Sequence, residues 1–288
     1  MGIRVWRVGI VVLGCFFTAF AFTQDIAVKS GEKIAFLGDS ITAGGMGSPT
    51  GYCRLVISGL EANGVSVTPI GAGISGHKSN QMLERLDRDV ISKKPEWMTL
   101  SCGVNDVWHG ANGVPLDAYK KNITEIVDKA MAAGIKIVIL TSTMIGEDQA
   151  NPNNQKLMAY NEFLRELAKE KKCLLADLNT DMQETLKQMG ANPKLNTLTG
   201  DGVHMNPLGD MMMATGVLKG LGLGEEQIKK AQDKWMDTPN AMELAGKTRI
   251  SIRQYQQLNA YAAKQKRPLP EILNEAVAKT VESILKQQ

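Results

Sequence analysis

From residue 31 onward, short apolar runs alternate with longer stretches of helical spacing. Lys33–Leu37, Val65–Ile70, Trp97–Cys102, Ile135–Thr141 and Cys173–Leu178 read as strands. Ile135–Thr141 is almost purely β-branched, as expected of a strand buried on both faces. Between these runs the spacing predicts helices over Tyr52–Asn63, Ser79–Ile91, Pro115–Ala133, Asn151–Lys171, Thr180–Met189 and Pro207–Leu221. Asn63-Gly64 and Gly134 are stop signals, Pro115 is a start signal, and Met82, Leu83, Leu86 and Val90 share one helix face. Alternation of this kind predicts βαβ units: an α/β fold with a central parallel sheet between two helical layers. Functional groups in such sheets gather at the carboxyl ends of the strands. Ser40 follows the first predicted strand, Gly71–Gly76 the second and Gly103-Val-Asn-Asp106 the third.

The pattern covers residues 31–237 and changes at both ends. Residues 238–288 read as a helical extension. Ile250–Lys264 and Pro270–Lys286 have amphipathic spacing, separated by Lys266-Arg-Pro-Leu-Pro270. The simplest expectation is a helix pair packed on the main domain or on a partner subunit. Its basic cluster, Lys264-Gln-Lys-Arg267, reads as a solvated helix end. Residues 1–21 read as an export signal. Arg4 and Arg7 precede the apolar stretch Val8–Phe22, and Ala19-Phe20-Ala21 resembles a cleavage site. The apolar run is shorter than the ~20 residues a spanning helix needs, so no membrane span is expected. Val12-Leu-Gly-Cys15 resembles a lipoprotein box that would lipidate Cys15. Apolar residues continue past that cysteine, which favours a cleaved leader and a periplasmic or secreted protein.

Composition narrows the function classes. The 288 residues carry a formal net charge of +3. Arg4 and Arg7 supply two of those charges, so the body is nearly neutral and gives no electrostatic reason to expect nucleic acid. Cys53, Cys102 and Cys173 remain after the leader, an odd number that leaves at least one thiol unpaired. Cys102 and Cys173 sit in apolar runs and read as small core residues. With no Cys-x-x-Cys and no His/Cys cluster, neither a metal nor a cofactor is expected. Nothing in the sequence specifies an oligomeric state.

Candidate chemistry starts at Ile34-Ala-Phe-Leu-Gly-Asp-Ser-Ile-Thr-Ala-Gly-Gly45, where a buried strand runs into Ser40. Gly44 and Gly45 would leave open room beside it. A serine hydroxyl is a poor nucleophile until a base takes its proton. The histidines are His77, His109 and His204, and Asp201 stands three residues before His204. On a turn, that spacing can fold the carboxylate onto one imidazole nitrogen and leave the other facing a hydroxyl. Four blocks occur in order: Gly38-Asp39-Ser40, Ala72-Gly-Ile-Ser-Gly76, Gly103-Val-Asn-Asp106 and Asp201-Gly-Val-His204.

These blocks resemble the SGNH hydrolase superfamily, the GDSL-type esterases and lipases, from about Lys33 to about Leu221. Ser40, Gly73, Asn105 and His204 match the four name-giving positions. Family members often carry Asn where this chain has Gly71. The resemblance implies a flavodoxin-like three-layer α/β/α sandwich. It also implies a Ser40–His204–Asp201 triad and an oxyanion hole made by the N–H groups of Ser40 and Gly73 with the Asn105 amide. Asp39 and Asp106 would brace their loops. Just beyond the blocks, His77, Trp108 and His109 are candidates for the pocket mouth, where Trp108 could stack on a sugar ring. The reading is an exported serine esterase for small acyl esters, with a carbohydrate acetyl ester as the leading substrate. A lipid or lysophospholipid acyl hydrolase and a non-catalytic glycan-binding module are the alternatives.

Overall fold

The computed structural model describes residues 25–193, 195–238, 242–244 and 248–286. The leader expected over residues 1–21, with Cys15, lies outside the described residues. Five parallel strands form the central sheet: β1 (Lys33–Gly38), β2 (Thr68–Gly73), β3 (Trp97–Ser101), β4 (Lys136–Leu140) and β5 (Leu174–Ala176), in the order β2-β1-β3-β4-β5. The three inner strands are buried almost throughout, and the two edge strands are half-buried. That is why β1, β3 and β4 read as continuous apolar runs.

Helices α1 (Ser40–Gly47) and α2 (Tyr52–Ala62) follow β1, and α3 (Ser79–Asp89) follows β2. Next come α4 (Val104–Trp108), α5 (Leu116–Ala132), α6 (Pro152–Lys171), α7 (Leu178–Gln188), α8 (Pro207–Gly220) and α9 (Glu225–Trp235). Parallel crossovers are right-handed. The chain moves one way from β1 to β2, then back past β1 to β3, so α2 and α3 must take opposite faces. The packing agrees: α2 packs on α8 and α9, while α3 packs on α5 and α5 on α6. This is the expected three-layer sandwich. Because the chain leaves β1 for one neighbour and later enters β3 on the other side, the carboxyl ends of β1 and β3 form the switch point at which sheets of this kind bind ligands.

The second strand lies three residues later than its apolar pattern predicts. Thr68 N–H donates to the Glu32 carbonyl and Ile74 N–H to that of Gly38, so alternate, even-numbered residues face β1. Pro69 therefore puts its missing N–H on the open edge, where it costs no ladder bond. Gly71 and Gly73, expected in a loop, end the strand instead. A Cβ on Gly73 would lie 2.4 Å from the Ala43 nitrogen, so glycine lets α1 lie directly against the strand end.

Four elements carry no strong sequence signal: α1, α4, α9 and an antiparallel hairpin, β6 (Met242–Leu244) with β7 (Thr248–Ile250). The hairpin leads into α10 (Ile252–Gln265) and α11 (Leu269–Leu285), the expected helix pair. Ile252 and Tyr255 are buried, and α10 packs on α8. No described helix is long and apolar enough to cross a membrane. Cys53, Cys102 and Cys173 are all free thiols, and Cys53 and Cys102 are buried.

Trp235 is fully buried and ends the helix α9 that closes over α2. Trp235→Ala should cost about 3–5 kcal/mol in urea unfolding, as large core truncations do. A loss below about 1 kcal/mol would show that α9 is peripheral to the core.

Candidate active site

The first part of the site is the end of β1. Asp39 caps α1, its carboxylate accepting from the Ile41 N–H at 2.9 Å. Ser40 is thus the first residue of a helix, where N–H groups have no intrahelical partner and the dipole favours negative charge. Gly44 has nothing near its Cβ position, but a Cβ on Gly45 would lie 2.5 Å from the Tyr52 ring. The expected open room is therefore real only at Gly44; Gly45 is packed.

The second part is the end of β3. Gly103 has φ of +138°, and a Cβ there would lie 2.3 Å from Ser142 Oγ, so only glycine makes this turn into α4. The turn presents Asn105, which is buried. Its Nδ2 donates to Asp39 Oδ2 and to the His77 carbonyl, both at 3.2 Å. Both partners only accept, which fixes the amide orientation. Oδ1 then receives the Nε2–H of His109 at 3.2 Å. Asp106 braces the loop, accepting from Ser79 N–H at 3.0 Å and Ser79 Oγ–H at 2.6 Å.

The third part is the loop between α7 and α8. His204 Nδ1 lies 2.7 Å from Asp201 Oδ2, and Nε2 lies 2.8 Å from Ser40 Oγ. A carboxylate only accepts, so Nδ1 carries the proton and Nε2 receives the Ser40 hydroxyl hydrogen. Asp201 Oδ1 also accepts from the N–H groups of Val203 (2.9 Å) and His204 (2.8 Å). Glu147, on the segment after β4, anchors the loop. Its buried carboxylate accepts from the N–H groups of Thr197, Leu198 and Thr199 and from Thr199 Oγ, at 2.7–2.8 Å. Gly146 N–H adds a bond to the Gly202 carbonyl at 2.6 Å.

Environment divides the acids. Burial pushes the Asp201 carboxyl up, but the bonds from the His204 ring and from two backbone N–H groups outweigh it, and the net shift is downward. Asp201 therefore stays ionised beside the imidazole. Asp39 goes the other way: burial, with the nearby Asp106 charge, pushes it up to about 6 despite the Ile41 bond. Burial also raises Asp106. His77 is lowered, first by burial and then by the Arg85 charge.

Ser40, Asp201 and His204 thus come together in hydrogen-bonding series, with Asn105 linked to the Ser40 segment through Asp39. Pairing leaves the Gly73 N–H off the β1 ladder. Trp108 is 45% exposed at the end of α4, with its ring edge-on to His109. His77 is used as a support: Nδ1 accepts from Arg85 Nε at 3.2 Å, and its carbonyl holds Asn105. Sequence reasoning missed Glu147 and Arg85. Each is an ordinary charged residue in the sequence, and most of what it holds is backbone or side chains that only the fold brings within reach.

Fold and site together define an ester hydrolase of SGNH type. The chain belongs to the GDSL-like lipase/acylhydrolase family, which it matches over residues 36–211. It is 28% identical over 214 residues to an acetylxylan esterase of Geobacillus stearothermophilus, spanning 68% of this chain and 96% of that protein. The crystal structure of Axe2, an acetylxylan esterase from the same organism, superimposes with a TM-score of 0.63 over 69% of this chain and 97% of that one. The acetyl xylan esterase AlAXEase is 34% identical, with a TM-score of 0.61 over 65% of this chain and 98% of its own. Catalytic mutants of Axe2 replace a serine, an aspartate and a histidine, the last two three positions apart.

The raised Asp39 carboxyl makes a pH-dependent prediction. A folded-state value above the ordinary one favours folding fully below about pH 4, and that contribution is lost as pH rises through about 6. Asp39→Asn does not titrate. Its stability relative to wild type should therefore improve between pH 4 and 7, by about 2–3 kcal/mol for a shift of roughly two units. Parallel melts across that range check it; a difference independent of pH would place Asp39 in an ordinary environment.

Proposed function

We propose that the chain is an exported serine esterase that removes acetyl groups from a carbohydrate. The observation that carries this is the continuous bond series from Asp201 through His204 to Ser40. The acetylxylan esterases matched over nearly their whole length support the substrate class. The residue types and the aspartate–histidine spacing of the Axe2 catalytic mutants recur at Ser40, Asp201 and His204. The composition of residues 1–21 supports export.

Ser40 Oγ attacks the ester carbonyl carbon as His204 Nε2 takes its proton. Asp201 holds the Nδ1–H and stabilises the imidazolium. The carbonyl oxygen becomes an oxyanion, met by the N–H groups of Ser40 and Gly73 and by Asn105 Nδ2. The two Nδ2 contacts in the free site are long, so a developing anion competes for that amide with advantage. His204 then protonates the leaving sugar oxygen, giving an acetyl-enzyme. Water, deprotonated by His204, attacks the acetyl carbon; acetate leaves and Ser40 regains its proton. Trp108, one helical turn beyond Asn105, offers its exposed indole to the sugar ring.

A fluorophosphonate probe should label wild type stoichiometrically and leave Ser40→Ala unlabelled. Nitrophenyl acetate should be cleaved faster than long-chain esters. Folded but unlabelled wild type would favour a glycan-binding module, and a steep long-chain preference would favour a lipid substrate. Asn105→Ala should lower kcat about 100–1000-fold with little change in KM, because the oxyanion exists only near the transition state. An unchanged kcat would remove Asn105 from the hole.

A further inference from the structure

Arg85, on α3, is only 4% exposed, although a buried charge is expensive unless its donors are used. Its guanidinium is shared between two backbone carbonyls and two side chains. Nη1 donates to the Ala72 carbonyl at 2.8 Å, and Nη2 donates to the Gly38 carbonyl at 2.8 Å. Nε donates to His77 Nδ1 at 3.2 Å, and Nη1 also reaches Asp89 Oδ2 at 3.1 Å. Asp89 is shared with Arg88, which holds its other oxygen at 2.7 Å.

Three of these contacts, to Ala72, Gly38 and His77, fall on segments that carry or support a donor of the oxyanion hole. The Ala72 carbonyl and the Gly73 N–H belong to one planar trans peptide, so they point in opposite directions. Holding the carbonyl on the Arg85 side turns the Gly73 N–H away from it. The Gly38 carbonyl ends β1, one residue before the Asp39 cap and two before Ser40. His77 supplies the carbonyl that holds Asn105 Nδ2. One rigid, planar fork thus reaches the supports of all three donors. An ammonium presents a single point of charge and cannot hold two carbonyls in this geometry.

We propose that Arg85 is a positioning residue that sets the oxyanion hole, aligning the Ser40, Gly73 and Asn105 donors from behind without touching substrate. The assignment rests on the esterase reading. Losing the guanidinium also takes donors from two buried carbonyls, so stability alone does not test the role and turnover must be read beside it.

The test compares wild type, Arg85→Lys and Arg88→Lys on nitrophenyl acetate, with rates normalised to fluorophosphonate-titrated sites. Affinity for a boronic acid transition-state mimic is measured beside them. Arg85→Lys should fold, lose about 10–100-fold in kcat, keep KM within about twofold, and lose boronate affinity in step with kcat/KM. Arg88→Lys, exposed on the same helix, should behave as wild type. Should Arg85→Lys not fold, Asp89→Asn loosens the same guanidinium and should lower kcat several-fold at constant KM. Active wild type with unchanged kcat and boronate affinity in the variant that folds overturns the Arg85 assignment alone. Wild type that neither turns over nor labels overturns the esterase reading beneath it.

Discussion

The 2.8 Å hydrogen bond from Ser40 to His204 joins residues 164 positions apart, and the surrounding architecture is arranged around that meeting. Neither partner is held by its own segment alone. Ser40 is fixed because β1 ends in the sheet interior and α1 starts at once under the Asp39 cap. His204 is fixed because its loop is bound to a different strand end through Glu147 and Gly146. The parallel sheet is the shared frame. It brings the carboxyl ends of β1, β3 and β4 to one edge, and the strand order reverses there between β1 and β3.

Polar burial is the second constraint. Asp39, Asn105, Asp106 and Glu147 are all buried near this edge. Removed from water, each would be strongly destabilising without partners, and each is heavily hydrogen-bonded. Asp39 links the helix that begins at Ser40 to Asn105, Asp106 links α4 to the start of α3, and Glu147 holds the backbone just before Asp201. Such a network admits few alternative arrangements, which is what a site needing alignment to a fraction of an ångström requires. The glycines serve the same end. At Gly73 and Gly103, a single added carbon would push apart the segments that must touch.

Much of this was legible in the sequence because it was written in residue types that are rare in combination. Five apolar runs located the sheet. The order of Ser40, Gly73, Asn105 and the Asp201–His204 pair pointed to the candidate site. Failures have physical causes. The end of β2 was hidden because Gly71 and Gly73 look like loop residues, although pairing with Phe36 and Gly38 keeps them extended. Helix α1 was hidden because Gly44, Gly45 and Gly47 are poor helix formers; its cap and its packing on Tyr52 override propensity. Arg85 and Glu147 were invisible because they act on carbonyls and N–H groups, which every residue carries. Only the folded backbone says which of those groups lie within reach.

The most direct measurement is a crystal structure of the protein with a small phosphonate bound covalently to Ser40, a stable mimic of the tetrahedral intermediate. One phosphonyl oxygen should lie within about 2.7–3.1 Å of the Ser40 nitrogen, the Gly73 nitrogen and Asn105 Nδ2 together, with the His204 ring still on Asp201. An adduct whose oxygens face solvent, or one that leaves Gly73 and Asn105 more than about 4 Å away, would contradict the account.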